Sequence, residues 1–260
     1  MKLLVACGGT AGHFLPALSF LESLKKKSAV WDIRVVLTKR KIEQKLRLDD
    51  YKVSQLSLVP MNLDISFKNL VAFLKFFLGS LESLWIILSF NPRIVVGFGG
   101  YASFPVVFLA TILGKKSIIH EQNVSPGITN KFLAHFVDRV AVSFPESIEL
   151  FNCRRDKIIL TGNPIRCDLK KLEKGTALEY FNFSKDKFTI LVMGGSQGSH
   201  KINMEFIEGL GALNLDNILQ IIHLCGSQDY PYLKDAYQKM KYNVRLFPFL
   251  KEMKFAYSAS

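Results

Sequence analysis

Lys2-Leu3-Leu4-Val5-Ala6-Cys7-Gly8-Gly9-Thr10-Ala11-Gly12-His13-Phe14 opens the chain, and its reading decides the fold. Lys2–Ala6 is a short apolar run closed by glycines. From His13 to Lys26, Phe14, Ala17, Leu18, Leu21 and Leu24 recur at helical spacing, with Pro16 placed in the tolerated first turn. Strand, glycine turn, helix is therefore the unit, and the chain repeats it. Later apolar runs at Ile33–Leu37, Ile94–Val96, Ser117–Ile119, Val137–Val142, Ile158–Leu160, Ile190–Met193, Ile221–Leu224 and Val244–Phe247 are short and continuous. Such runs suit strands buried on both faces, so parallel sheets covered by helices are expected. Right-handed crossovers gather the strand-to-helix turns on one sheet edge, where ligands bind in such folds.

Two further turns copy the first. Gly97-Phe98-Gly99-Gly100-Tyr101-Ala102-Ser103 follows one apolar run, with Ser103 a candidate N-cap and Pro105 in the next helix's first turn. Gly194-Gly195-Ser196-Gln197-Gly198-Ser199 follows Ile190–Met193. Glycines admit close backbone approach, and a helix start offers N–H groups to an anion. One turn alone reads equally as a tight connection; three in a basic protein point to phosphates at more than one place. The excess of 34 Lys+Arg over 22 Asp+Glu, a net charge of +12, favours an anionic partner: nucleic acid, an acidic membrane surface or a phosphorylated substrate. His13 at the helix start suits a general base or a phosphate donor, against the plainer reading of a solvated histidine. Hydride transfer is disfavoured, because the dinucleotide spacing is absent and the second strand runs into Thr38-Lys39-Arg40 rather than an acidic residue.

His120-Glu121-Gln122-Asn123 stands at a strand end, where four hydrogen-bonding side chains suit sugar hydroxyls or, more plainly, cap the helix beginning near Pro126-Gly127. The scattered Cys7, Cys153, Cys167 and Cys225 lack metal-ligand spacing, so reduced thiols and no metal site are expected. The N-terminus does not read as a signal peptide, and a cytosolic chain is expected. Phe67–Ser89 is the most hydrophobic stretch. Lys68, Ala72, Lys75, Gly79, Glu82 and Ser83 fall on one narrow stripe, leaving a wide apolar arc that includes Phe73, Leu74, Phe77 and Trp85. Lys75 and Glu82 argue against a transmembrane span; a buried helix or a helix end dipping into a membrane interface remain. Asn163-Pro164 marks a boundary, giving domains at 1–163 and 164–260. The second has roughly three strand candidates against about seven in the first.

Assembled in order, these segments resemble the MurG family, the UDP-N-acetylglucosamine–N-acetylmuramyl-(pentapeptide) pyrophosphoryl-undecaprenol N-acetylglucosamine transferases. The three glycine turns, His120-Glu121-Gln122-Asn123, Gly127 with Asn130-Lys131, and Gly162-Asn163-Pro164-Ile165-Arg166 carry the resemblance across the whole chain. It implies a GT-B type α/β fold: two Rossmann-like doubly wound parallel-sheet domains, the second truncated. It implies transfer of N-acetylglucosamine with inversion, from UDP-N-acetylglucosamine to undecaprenyl-linked muramyl peptide, in peptidoglycan synthesis. No cofactor, metal or nucleic acid is implied. The expected place is peripheral, at the inner leaflet of the bacterial cytoplasmic membrane, with Phe73, Leu74, Phe77 and Trp85 as the membrane contact.

By position, His13 would be the catalytic base. Gly9, His13, Gly99, Gly100, Tyr101 and Glu121 would serve the acceptor, Glu121 by supporting its loop. Thr10, Ala11, Gly12, Asn123, Asn130, Arg166, Ser196, Gln197 and Leu250 would serve the donor, Leu250 within a loop whose backbone faces the uracil. Phe104 stands where the family has glycine, which would narrow the second turn. The chain stops at Ala256–Ser260, before the family's G-A-x-T-x-x-E segment and Gln-rich loop, so weak binding of UDP-N-acetylglucosamine is expected of these 260 residues. A non-catalytic lipid-diphosphate-binding module and a GT-B enzyme of other acceptor specificity are the alternatives.

Overall fold

The computed structural model of the chain describes residues 1–8, 11–27, 31–39, 48, 50–59, 67–195, 197–213 and 215–260, with backbone alone at Ala11 and residues 67–70. The chain forms two compact units, Met1–Cys167 and Asp168–Ser260.

Unit 1 holds a seven-stranded parallel sheet. Its strands are β1 (Lys2–Ala6), β2 (Asp32–Thr38), β3 (Lys52–Leu56), β4 (Ile94–Gly97), β5 (Lys116–Glu121), β6 (Arg139–Val142) and β7 (Ile158–Leu160), in the order β3-β2-β1-β4-β5-β6-β7. Leu4, Val5, Ala6, Val35, Val36 and Val95 are fully buried, as two covered faces require. The order reverses between β1 and β4, which pair directly from Leu3↔Ile94 to Ala6↔Gly97. Parallel strands on either side of such a reversal send their following loops apart, which opens a crevice at their carboxyl ends. The first two glycine turns leave from these two ends.

The helices of unit 1 are α1 (Ala11–Lys27), α2 (Phe67–Phe90), α3 (Gly100–Ile112) and α4 (Ile128–Leu133). Two expectations about their starts need correction. Pro16 and Pro105 each lie six residues into their helices, not in the first turn. Ser103 is likewise no N-cap: that position is Gly99, and the Ser103 hydroxyl donates back to the carbonyls of Gly99 (2.6 Å) and Gly100 (3.1 Å). In α3 the positive-φ glycines Gly99 and Gly100 start the helix earlier than a cap at Ser103 would.

In α2 the stripe runs opposite to the usual arrangement. Its small residues Ala72, Gly79 and Ser83 face inward with Ile86, Ile87 and Phe90, while Phe73, Phe77 and Trp85 are 59%, 59% and 68% exposed. Gly79 lies against Leu58, so closely that any Cβ there would displace the Leu58 side chain. Glu82 accepts from the Ser57 N–H (2.7 Å) and hydroxyl (2.8 Å) just beyond β3. Small residues let the helix sit close to the sheet, and the large ones are left outside. The reading of α2 as a largely buried helix is thereby overturned. By length and composition Val71–Phe90 is also long and apolar enough to cross a membrane.

Unit 2 holds a three-stranded parallel sheet, β10-β9-β8, from β8 (Phe188–Met193), β9 (Leu219–Leu224) and β10 (Asn243–Phe247). Its helices are α5 (Lys174–Tyr180), α6 (His200–Gly211), α7 (Gly226–Gln238) and α8 (Met253–Ala259). One core lies on each side of the sheet: Phe181, Ile222, Leu250 and Ala256 on one, Ile207, Ile221, Leu233 and Tyr237 on the other.

Candidate functional site

The site of unit 1 is built where β1, β4 and β5 end. Gly8, Gly99 and Gly100 have φ of 136°, 82° and 73°, conformations that side chains rarely adopt. A Cβ at Gly99 or Gly100 would also crowd its neighbours. A Cβ on Gly99 would lie 3.1 Å from His13 Cδ2 and 3.2 Å from Asn130 Nδ2. One on Gly100 would lie 2.9 Å from the Gly8 carbonyl oxygen and 3.3 Å from His13 Nδ1. The imidazole of His13 therefore rests on the backbone of the second turn, with Asn130 beside it. Burial pushes the His13 pKa down, opposed by the negative charge of Glu121. The ring is neutral at physiological pH, as a proton acceptor must be.

Behind this surface stands Glu121, 1% exposed. Oε1 accepts from the Asn123 backbone (2.9 Å) and side-chain amide (3.0 Å); Oε2 accepts from Gly127 N–H (3.1 Å) and Asn130 Nδ2 (2.8 Å). Four donors fill the carboxylate, so Glu121 holds the Asn123 and Gly127 backbone and the Asn123 and Asn130 side chains in place, a supporting position like the one expected for it. Gln122 Nε2 lies 3.1 Å from each of Phe98 O, His120 O and His120 Nδ1, three acceptors sharing its two N–H hydrogens. Gly162 O can only accept, so His120 Nε2–H donates to it (3.1 Å), and burial lowers the His120 pKa. The His120–Asn123 segment thus divides. Its first three side chains hold the loop, as the plainer reading expects, and Asn123 alone is exposed. Two buried oxygens among the described residues, Gln122 Oε1 and Asn130 Oδ1, have no hydrogen-bond partner, and Asn130 shares the neighbourhood of Gly99 with His13.

Of the other expected residues, Gly12 lies on α1 beside His13, and Tyr101 follows Gly100 on α3. Arg166 is half-buried near the end of unit 1. Gly9, Thr10, Ser196 and the side chain of Ala11 lie outside the described residues. Phe104 does not narrow the second turn; its ring joins an aromatic cluster, 5.9 Å from Phe76, 5.6 Å from Phe108 and 5.5 Å from Phe132. At the opposite sheet edge, Lys115, Lys116, Arg139, Arg154 and Lys157 line an open groove of about 480 Å³ that Phe136 also borders. Among the described residues no group of three or more metal-ligating side chains occurs.

In unit 2 the third glycine turn leads into α6, and Gly195 and Gly198 have φ of 83° and 76°. Gly198 and Gly226, at the start of α7, interlock: a Cβ on the first would strike the Cys225 carbonyl, and one on the second the Gln197 carbonyl. Gln197 is exposed. The Leu250 side chain is buried in the unit 2 core, so only its backbone is available to a ligand.

Sequence reasoning missed His200 and Asp229, whose 2.9 Å contact joins α6 to α7 across 29 residues. A histidine directly after the glycine turn is the one local signal that marks them.

Residues 3–142 match the glycosyltransferase family 28 N-terminal domain, and residues 189–260 the family 28 C-terminal domain. The chain is 40% identical to a UDP-N-acetylglucosamine--N-acetylmuramyl-(pentapeptide) pyrophosphoryl-undecaprenol N-acetylglucosamine transferase of Thermodesulfovibrio yellowstonii, over 100% of the chain and 71% of that protein. It is 37% identical to the enzyme of the same name from Desulforamulus reducens, over 94% of the chain and 64% of that protein. Among solved structures, Acinetobacter baumannii MurG superposes with a TM-score of 0.68 at 24% identity, covering 100% of the chain and 69% of its own. A putative UDP-N-acetylglucosamine 2-epimerase from Listeria monocytogenes gives 0.67 at 14% identity, over 98% of the chain and 70% of its own. Likenesses at these identities speak to the GT-B type fold.

Proposed function

The chain belongs to the MurG family of glycosyltransferases, and from that premise we propose that it transfers N-acetylglucosamine from UDP-N-acetylglucosamine to the 4-hydroxyl of undecaprenyl-pyrophosphoryl-N-acetylmuramoyl-pentapeptide. The observation that carries this reading is the cradle at the β1/β4 switch point, where a neutral histidine lies on two positive-φ glycines beside a buried, half-satisfied asparagine. Residues 1–163 take the acceptor and 164–260 the donor. The acceptor oxygen attacks the anomeric carbon opposite the diphosphate. The new C–O bond forms as the bond to phosphate breaks, and the electron pair leaves with UDP. His13 removes the hydroxyl proton, while Gly99 and Gly100 admit the acceptor diphosphate to their backbone. Asn123 and Asn130, aligned by Glu121, hold sugar groups, and Arg166, Ser196, Gln197 and the Leu250 backbone meet the nucleotide.

The outer face of α2 reaches the lipid. Burying a large apolar side chain yields roughly 1.5–3 kcal/mol, so Phe73, Leu74, Phe77 and Trp85 together outweigh the ~1 kcal/mol of each nearby lysine at an anionic surface. Peripheral seating at the inner leaflet of the cytoplasmic membrane follows, with apolar contact leading and charge assisting.

The test is transfer of labelled N-acetylglucosamine to the lipid-linked muramyl peptide. It is run with this chain and with a chain continued by the C-terminal segment of the Thermodesulfovibrio relative. Product from either supports the reading; none from the continued chain sinks it.

A further inference from the structure

The polar side chains between α6, β9 and α7 form one continuous path whose proton positions follow from its hydrogen bonds. Asn203 Nδ2 donates to Cys225 O (2.9 Å) and to Asp229 Oδ2 (2.7 Å), so its Oδ1 must be the atom 3.0 Å from His223 Nε2. His223 therefore carries its proton on Nε2, and its Nδ1 accepts from the Tyr237 hydroxyl (2.8 Å). Burial holds His223 neutral, at a pKa of about 4. Every buried member is satisfied, and the path ends on Asp229, whose second oxygen meets His200 Nδ1 at 2.9 Å. The Asp229 side chain is 11% exposed, whereas that of His200 is 71% exposed. A carboxylate this tightly held fixes the imidazole facing it. Asp229 only accepts, so Nδ1 of His200 carries hydrogen and Nε2 is the nitrogen turned outward.

The contact ties α6 to α7, and it also leaves Nε2 of a mostly exposed imidazole facing outward in a fixed direction. His200 is the first residue of α6, directly after the third glycine turn, and Asp229 lies in the first turn of α7, whose entry interlocks with that turn through Gly198 and Gly226. Resting on the reading of that turn as the donor site, we propose that His200 is a further donor-site residue. Asp229 positions its imidazole so that Nε2–H, in the protonated ring, pairs with the diphosphate and with the charge it gains as the sugar leaves. An arriving diphosphate would place negative charge opposite Nε2 at the start of α6. The titratable groups on this side are Asp229 from α7 and, through Asn203, His223 from β9, which stays neutral above pH 5; Lys201 follows on α6 itself.

The experiment is an NMR titration of the isotopically labelled full chain with UDP, inorganic pyrophosphate and uridine, each to millimolar concentration, between pH 5.5 and 8. The His200 ring Cε1–H and the amides of Gly194, Gly195 and Gly198 are followed. UDP and pyrophosphate are expected to raise the His200 titration midpoint, and uridine to leave it in place. His200→Gln, at an exposed position that does not threaten folding, is expected to weaken UDP binding about five- to tenfold at pH 6 and much less at pH 8, with uridine binding unchanged. Asp229→Asn, which loosens the hold on Nδ1, is expected to diminish the response of the His200 ring to UDP. Glycine amides that respond to UDP while the His200 ring does not would overturn the role of His200 and leave the donor turn standing. If neither responds, the donor turn and His200 fall together.

Discussion

At the residue scale, the proposed chemistry rests on an imidazole kept neutral and on a carboxylate kept full. Burial lowers the His13 pKa, and a base works only while unprotonated, so activity is lost as pH falls through that lowered value. The acid limb of kcat/KM is therefore expected below the ordinary histidine range near 6.5, and His13→Ala to lower kcat about a hundredfold or more, with UDP binding unchanged by calorimetry. Glu121→Gln is a different lesion. It turns an acceptor oxygen into a donor facing two N–H groups, which costs roughly 1–3 kcal/mol in urea unfolding and loosens Asn123 and Asn130 together. A Glu121→Gln chain of native stability and full activity would contradict the arrangement. The glycine turns and His13 were legible in the sequence because their signals are local. The division of labour in His120–Asn123 was not, since which side chains face inward depends on Phe98 and Gly162, far away in the chain.

At the element scale, α2 separates what periodicity reveals from what it leaves open. Spacing identifies two stripes and says nothing of which one meets the sheet. Here the small stripe does, because Gly79 admits Leu58 and Glu82 caps the strand end at Ser57. β3 escaped notice for a related reason: Lys52, Ser54 and Gln55 make an edge strand without an apolar run. The exposed face predicts an outcome that a structural role would not. Phe77→Glu combined with Trp85→Glu is expected to reduce sedimentation with phosphatidylglycerol-containing vesicles about tenfold or more, since each lost apolar insertion is worth roughly 1.5–3 kcal/mol. The melting temperature should hold, both side chains being exposed. Retained vesicle binding would remove α2 from the membrane.

At the scale of the whole molecule, the two units differ in how openly the sequence declares them. Nearly every strand of the first sheet and all three of the second lie within or around an apolar run, whereas the tie between α6 and α7 joins residues that no local pattern links. Unit 2 carries its own acid sensitivity. His223 sits in the fold with a pKa of about 4 but returns to about 6.5 when unfolded, so the unfolded state takes up the proton first. The stability that neutral His223 contributes is complete above pH 6.5 and is expected to be lost toward pH 4, by up to about 3 kcal/mol. Thermal melts across this range should show the decline, and His223→Gln should flatten it; an unchanged slope would refute the assignment. The interlock of Gly198 with Gly226 has a consequence for descent. Each glycine is required by the backbone path of the other loop, so no side-chain change opposite could make room for a Cβ at either. The two positions are expected to accept only glycine for as long as the two loops keep these backbone paths.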